Sequence, residues 1–143
     1  MTDAVIFDLD GTLCDVSTTR HFVEGDERDF EAFHSASMEC PPHDEVVRAA
    51  AAERDTGRAI LIVTARSSKW RDYTIKWLDQ HGIAYDRLYM RIEADFRADY
   101  VIKKDILENI KADGFEPIHA WDDKPKVIAL WRENGIAVTE VPQ

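Results

Sequence analysis

The chain lacks any apolar run long enough to span a bilayer, and its first one is too short for a signal peptide. No membrane partner is expected, and a cytoplasmic location is the default. Only two cysteines occur, Cys14 and Cys40, in no metal-ligand spacing, so free thiols are expected. Cations are scarce: 18 Lys plus Arg stand against 28 Asp plus Glu, a net charge of −10. That argues against broad electrostatic coating of nucleic acid, while leaving room for an enzyme that grips only one end of a strand. There is no internal repeat, linker or low-complexity tract. The 143 residues, 45% hydrophobic and 32% charged, suit one domain spanning 1–143 with a real core.

What is present is a series of strand-helix units. Ala4-Val5-Ile6-Phe7 reads as a buried parallel strand. Residues 9–27 are polar and irregular, and a short helix is expected near 28–38, stopped by Pro41-Pro42. A second helix is expected over 44–56, with Val46, Val47, Ala50 and Ala51 inward and Gly57 ending it. Residues 59–63 read as the second strand. Ser67 or Ser68 can cap the next helix, where Trp70, Tyr73, Thr74, Trp77, Leu78 and His81 keep a helical period. Strands at 86–90, 118–121 and 137–141 alternate with helices at 99–113, begun by Asp99, and 125–134. This alternation implies an α/β fold, a Rossmann-like three-layer sandwich around a central five-stranded parallel sheet. Residues 14–43 leave space only for a small helical flap or minimal cap.

Parallel sheets of this kind bind ligands beyond the carboxyl ends of their strands. Asp8, Thr64 and Asp122 fall at such ends and meet if the first, second and fourth strands are neighbours. Asp8-Leu9-Asp10-Gly11-Thr12 places two carboxylates two residues apart, which repel unless a divalent cation makes both ionised forms tolerable. Asp122-Asp123 adds a second acidic pair; oxygen ligands favour Mg²⁺ over a soft metal, and Asp before Lys124-Pro125 also suits a helix N-cap. The Thr64 hydroxyl and nearby backbone N–H groups can hold a phosphate oxygen, and Arg66 suits forked phosphate contacts. One of Lys103 and Lys104 can balance these charges; Lys103 borders the inward stripe of Ile102 and Ile106. Lys69, Arg71, Arg91, Arg97, Lys124 and Lys126 lie close to the same motifs.

In this order, Asp8-Leu9-Asp10-Gly11-Thr12, Thr64, Lys103 and Asp122-Asp123 resemble the haloacid dehalogenase-like phosphohydrolases. The resemblance implies that Asp8 is a nucleophile forming an aspartyl-phosphate and that Asp10 is the general acid/base. It implies that Thr64 and Lys103 hold the transferring phosphoryl group. Asp8, Asp122 and Asp123 would ligate Mg²⁺, with Asp10 reaching the metal through its backbone carbonyl and keeping its side chain free. Thr12 would be structural.

Two further stretches, Asp95-Phe96-Arg97-Ala98-Asp99-Tyr100-Val101-Ile102-Lys103 and Asp122 to Arg132, are similar to the phosphatase domain of bacteriophage polynucleotide kinase-phosphatase. That likeness implies an Mg²⁺-dependent phosphomonoesterase removing 3′-phosphates from polynucleotide ends or nucleotides, with Arg66 and Arg97 helping to bind phosphate. No Gly-rich P-loop is present, so no kinase module is expected in this chain. The competing expectations are a small-molecule phosphatase, such as a 5′-nucleotidase or sugar phosphatase, and a non-catalytic binding module.

Overall fold

Strand β1 (Thr2–Phe7) takes the middle of the sheet because Ala4 to Phe7 are apolar towards both faces and fully buried. The computed structural model of the chain describes residues 1–17 and 39–142. After β1 come α1 (Asp44–Asp55), β2 (Ala59–Ser67), one 3₁₀ turn (Ser68–Trp70), α2 (Arg71–Gln80) and β3 (Arg87–Arg91). Then follow α3 (Asp99–Ala112), β4 (Phe115–Asp122), α4 (Pro125–Glu133) and β5 (Ala137–Glu140). The strand order is β3-β2-β1-β4-β5 and every pairing is parallel. The Rossmann-like α/β sheet expected from the alternation is therefore present, with β1 flanked by β2 and β4. The helix expected near 28–38 lies outside the described residues, as does most of the 14–43 flap.

The pleat sorts the core into two layers. Val5, Phe7, Ile60 and Ile62 pack on one face with Val46 and Ala50 of α1 and Trp77 and Leu78 of α2. Ala4, Ile6, Leu61 and Val63 pack on the other with Ile102, Ile106 and Ile110 of α3 and Trp131 of α4. Pro117 opposes Ala4 while His119 opposes Val5, so β4 carries a bulge where proline cannot donate to the ladder.

Two local expectations are corrected. Ala51 is exposed, not inward: Val46 and Ala50, one turn apart, make the buried stripe, and Ala51 is a further ~100° round the helix. Asp99 does not cap α3; Ala98 holds that position, and the Asp99 carboxylate accepts from Arg91 instead. Tyr73 keeps the helical period yet is half exposed. Between the two candidate caps after β2, the structure selects Ser67, whose Oγ accepts from Lys69 N at 3.2 Å in the 3₁₀ turn.

Trp77 pins α2 to the sheet. It is buried, donates from Nε1 to the Cys40 carbonyl at 3.0 Å and stacks at a tilt on His81. Trp77→Ala is expected to cost about 3–5 kcal/mol, read as a fall in the urea midpoint at constant slope.

Candidate active site

At the carboxyl end of β1 the chain turns sharply. Thr12 N and Cys14 N both donate to Leu9 O, and Gly11 N donates to Cys14 O. The turn needs Gly11 at φ +85°, and a Cβ there would collide with the Asp123 carboxylate. The N–H groups of Leu9 and Asp10, beside Asp8, carry no acceptor among the described residues. These two donors have no side-chain signature, and sequence reasoning misses them.

Asp8, Asp122 and Asp123 offer carboxylate oxygens that all lie within 4.8 Å of one another. Lys103 reaches them from α3, donating from Nζ to Asp8 Oδ1 and to Asp122 Oδ2, each at 2.9 Å. The neighbouring Lys104 is exposed, so Lys103 is the inward member of the pair. The Thr12 hydroxyl lies 3.3 Å from Asp8 Oδ2 and 3.4 Å from Asp123 Oδ1, bridging the two acidic motifs. Asp122 does not cap α4, whose N-cap position is Lys124; its Oδ1 instead accepts from the N–H of Asp123 at 2.8 Å and of Lys124 at 3.2 Å in the turn leading to the helix. The Asp122 Oδ2 additionally receives Trp131 Nε1 at 3.4 Å.

Among the described residues, one ammonium is ion-paired within this group of three carboxylates. Burial, helped by the Asp122 charge, pushes the Asp8 carboxyl well above its usual range, with Lys103 only partly opposing. Burial alone would discharge Lys103, but Asp122 and Asp8 outweigh it and keep the ammonium above the usual lysine value. The surplus negative charge and all-oxygen donor set fit a hard divalent cation.

Asp10 stands apart from this cluster. Arg66 grips its carboxylate with two donors, Nε at 3.2 Å and Nη2, and uses Nη1 on Thr74 Oγ1 at 3.1 Å. The Asp10 side chain is therefore engaged rather than free, because the Arg66 guanidinium, almost fully buried, has to be paired. The same fork commits Arg66 to Asp10 and Thr74. Thr64, buried at the end of β2, accepts the Arg66 N–H on its Oγ1 at 3.0 Å, which leaves the hydroxyl proton to donate.

Arg97 is not brought into the cluster. It is exposed and pairs with Asp95 at 2.8 Å and Asp105 at 2.7 Å. Arg91, which the sequence marks only as a nearby cation, is a clamp. It donates to Ala65 O at 2.8 Å, Asp95 O at 2.8 Å, Arg97 O at 2.6 Å and Asp99 Oδ1 at 2.7 Å. Lys124 closes on the other oxygen of Asp99. The turns after β2, β3 and β4 are thereby tied together around the site.

Comparison with known proteins agrees with this architecture. A sequence model described as the polynucleotide kinase PNKP phosphatase domain matches residues 2–143. A protein of Autographa californica nuclear polyhedrosis virus, assigned as a bifunctional polynucleotide kinase/RNA ligase, is 27% identical over 132 residues, 91% of this chain and 18% of the viral protein. A chain of the Pnkp1/Rnl/Hen1 RNA repair complex superposes with a TM-score of 0.85 at 26% identity, covering 99% of this chain and 43% of that one. The chain thus spans less than half the length of either relative. The class C acid phosphatase of Bacillus anthracis shares the fold at a TM-score of 0.71 and 13% identity, covering 99% of this chain and 66% of that one.

Gly11→Ala is expected to cost about 1–2 kcal/mol in backbone strain, with a further loss from displacing Asp123. Urea unfolding checks it, as a fall in the midpoint at constant slope.

Proposed function

The chain belongs to the family of polynucleotide kinase PNKP phosphatase domains, which are haloacid dehalogenase-like phosphatases, and from that premise we propose that it is an Mg²⁺-dependent phosphomonoesterase that removes 3′-phosphates from polynucleotide ends or nucleotides. The observation that carries the reading is the division of labour among the acids. Asp8 sits against Lys103 and Thr12 within the carboxylate cluster, while Asp10 is held away from it by Arg66.

Asp8 attacks phosphorus, the bond to the leaving oxygen breaks, and Asp10 gives that oxygen its proton. Asp10 then takes a proton from water, which attacks the aspartyl-phosphate and frees Asp8 and inorganic phosphate. Splitting one displacement into two lowers each barrier. Lys103, the Thr64 hydroxyl and the Leu9 and Asp10 N–H groups would meet the phosphoryl oxygens as charge develops on them. Asp8, Asp122, Asp123 and the Asp10 carbonyl would hold Mg²⁺, which when bound neutralises charge between an anionic nucleophile and an anionic substrate.

Arg66 acts on Asp10: its fork fixes the acid's rotamer. Arg97 stays at the rim, where exchanging a carboxylate for a substrate phosphate is open to an exposed side chain.

Asp8→Asn is expected to abolish turnover with the circular dichroism spectrum unchanged, and wild-type activity is expected to vanish in EDTA and return with Mg²⁺. The substrate class is decided by rates on matched 3′- and 5′-phosphorylated oligonucleotides, nucleoside monophosphates and an aryl phosphate. A 3′-preference is expected; equal rates on all would favour a general small-molecule phosphatase.

A further inference from the structure

Five large hydrophobic side chains are exposed among the described residues, and four of them follow the two neighbouring strands β2 and β3 in the chain. Tyr73 follows the turn after β2, and Ile92, Phe96 and Tyr100 lie in or just after the turn following β3. Phe96 is 93% exposed, Ile92 73% and Tyr100 41%. A solvated phenylalanine in an acidic protein has no stabilising role in the fold, and apolar side chains concentrated at a site's mouth mark a contact surface.

This surface belongs to the active-site rim. Tyr100 is one helical turn from Lys103 on the same side of α3, ~5 Å along the axis towards the helix start. Phe96 lies in the segment that Arg91 ties to the end of β2, and Glu93 N donates to Ser68 Oγ at 3.0 Å, joining the same two turns. Trp70 packs on Tyr73 with centroids 5.8 Å apart, on the neighbouring turn.

Cations stand beside these rings. Lys69 Nζ is 5.1 Å from the Trp70 centroid and Lys126 Nζ 5.8 Å from that of Tyr100. Neither lysine is ion-paired among the described residues. The carboxylates of the stretch are mostly neutralised: Asp95 and Asp105 by Arg97, Asp99 by Arg91 and Lys124. Glu93 alone among the acids of 92–105 has no cation partner there. Exposed rings interleaved with unpaired lysines suit an unstacked polyanion, whose bases offer π-faces and whose phosphates recur along the chain.

We propose that Phe96 and Tyr100, with Lys126 beside Tyr100 and Lys69 on the turn that Ser68 joins to this segment, form a stacking platform for the single-stranded segment leading to the phosphorylated 3′ end. The proposal rests on the 3′-phosphatase reading above and narrows it: the preferred substrate is a strand, and affinity for it is gathered outside the catalytic cluster.

The test compares wild type with Phe96→Ala and Phe96→Trp on a single-stranded octanucleotide 3′-phosphate and on a nucleoside 3′-monophosphate. Phe96→Ala is expected to raise KM for the octanucleotide roughly 5- to 100-fold. KM for the mononucleotide and kcat for both stay unchanged, and Phe96→Trp restores the octanucleotide value. An octanucleotide KM within twofold of wild type, or equal losses on both substrates, overturns the platform and leaves the phosphatase reading intact. If wild type cleaves an aryl phosphate but no 3′-phosphate, the parent reading fails, and anisotropy with an unphosphorylated octanucleotide decides the platform: weaker binding by Phe96→Ala supports it, and no binding by wild type overturns it.

Discussion

The site depends on one electrostatic constraint: three carboxylates crowd together beyond the ends of two neighbouring strands, and among the described residues Lys103 is the one cation that ion-pairs with them. Taking charged groups out of water costs several kcal/mol each, and like charges at this separation add to it. The fold accommodates the excess by saturating what it can. Asp122 is bonded on both oxygens, and Asp8 receives Lys103 and Thr12. What is left over is a local demand for positive charge, which a divalent ion would meet. Stability is thus given up at the place where chemistry is proposed.

The layout of the sheet makes that crowding possible. Asp8 and Asp122 come from strands that are neighbours in space and more than a hundred residues apart in sequence. The tie between strand β1 and strand β4 is reinforced at the site end, where Asp8 N donates to Trp121 O at 3.0 Å and Phe7 stacks on Trp121 with centroids 5.8 Å apart. Apolar packing immediately beneath the acids sets their separation, because neither strand can slide without breaking the register of both core layers.

Much of this is legible in the sequence. Buried parallel strands announce themselves as short apolar runs, and helices by their period and terminal glycines, so the α/β alternation follows from local physics. The acidic motifs are equally plain, since carboxylates at strand ends have few inexpensive explanations. Other parts are invisible for definite reasons. Nothing local says that Arg66 faces Asp10 rather than solvent or substrate; the pairing exists only once strand β2 lies beside strand β1. Arg91 reads as one cation among many, and only its carbonyl acceptors reveal a clamp. Asp99 looks like a helix cap because Asp favours that position, but two cations outcompete the backbone for its carboxylate. Strand β2 extends to Ser67, past its apolar run, because polar residues can continue a ladder that its neighbour supplies.

The chain of bonds from Asp10 through Arg66 to Thr74, and from Thr74 to the Trp70 carbonyl at 2.9 Å, has a thermodynamic consequence. A surface carboxylate samples several rotamers and must be ordered afresh in each catalytic cycle. Here the ordering entropy of the acid is lost once, when the chain folds, along with that of a long arginine side chain. Under the proposed mechanism the activation entropy of proton transfer would be freed of that term, and the temperature dependence of the chemical step would reflect bond making and breaking more than the search of a mobile acid for its position.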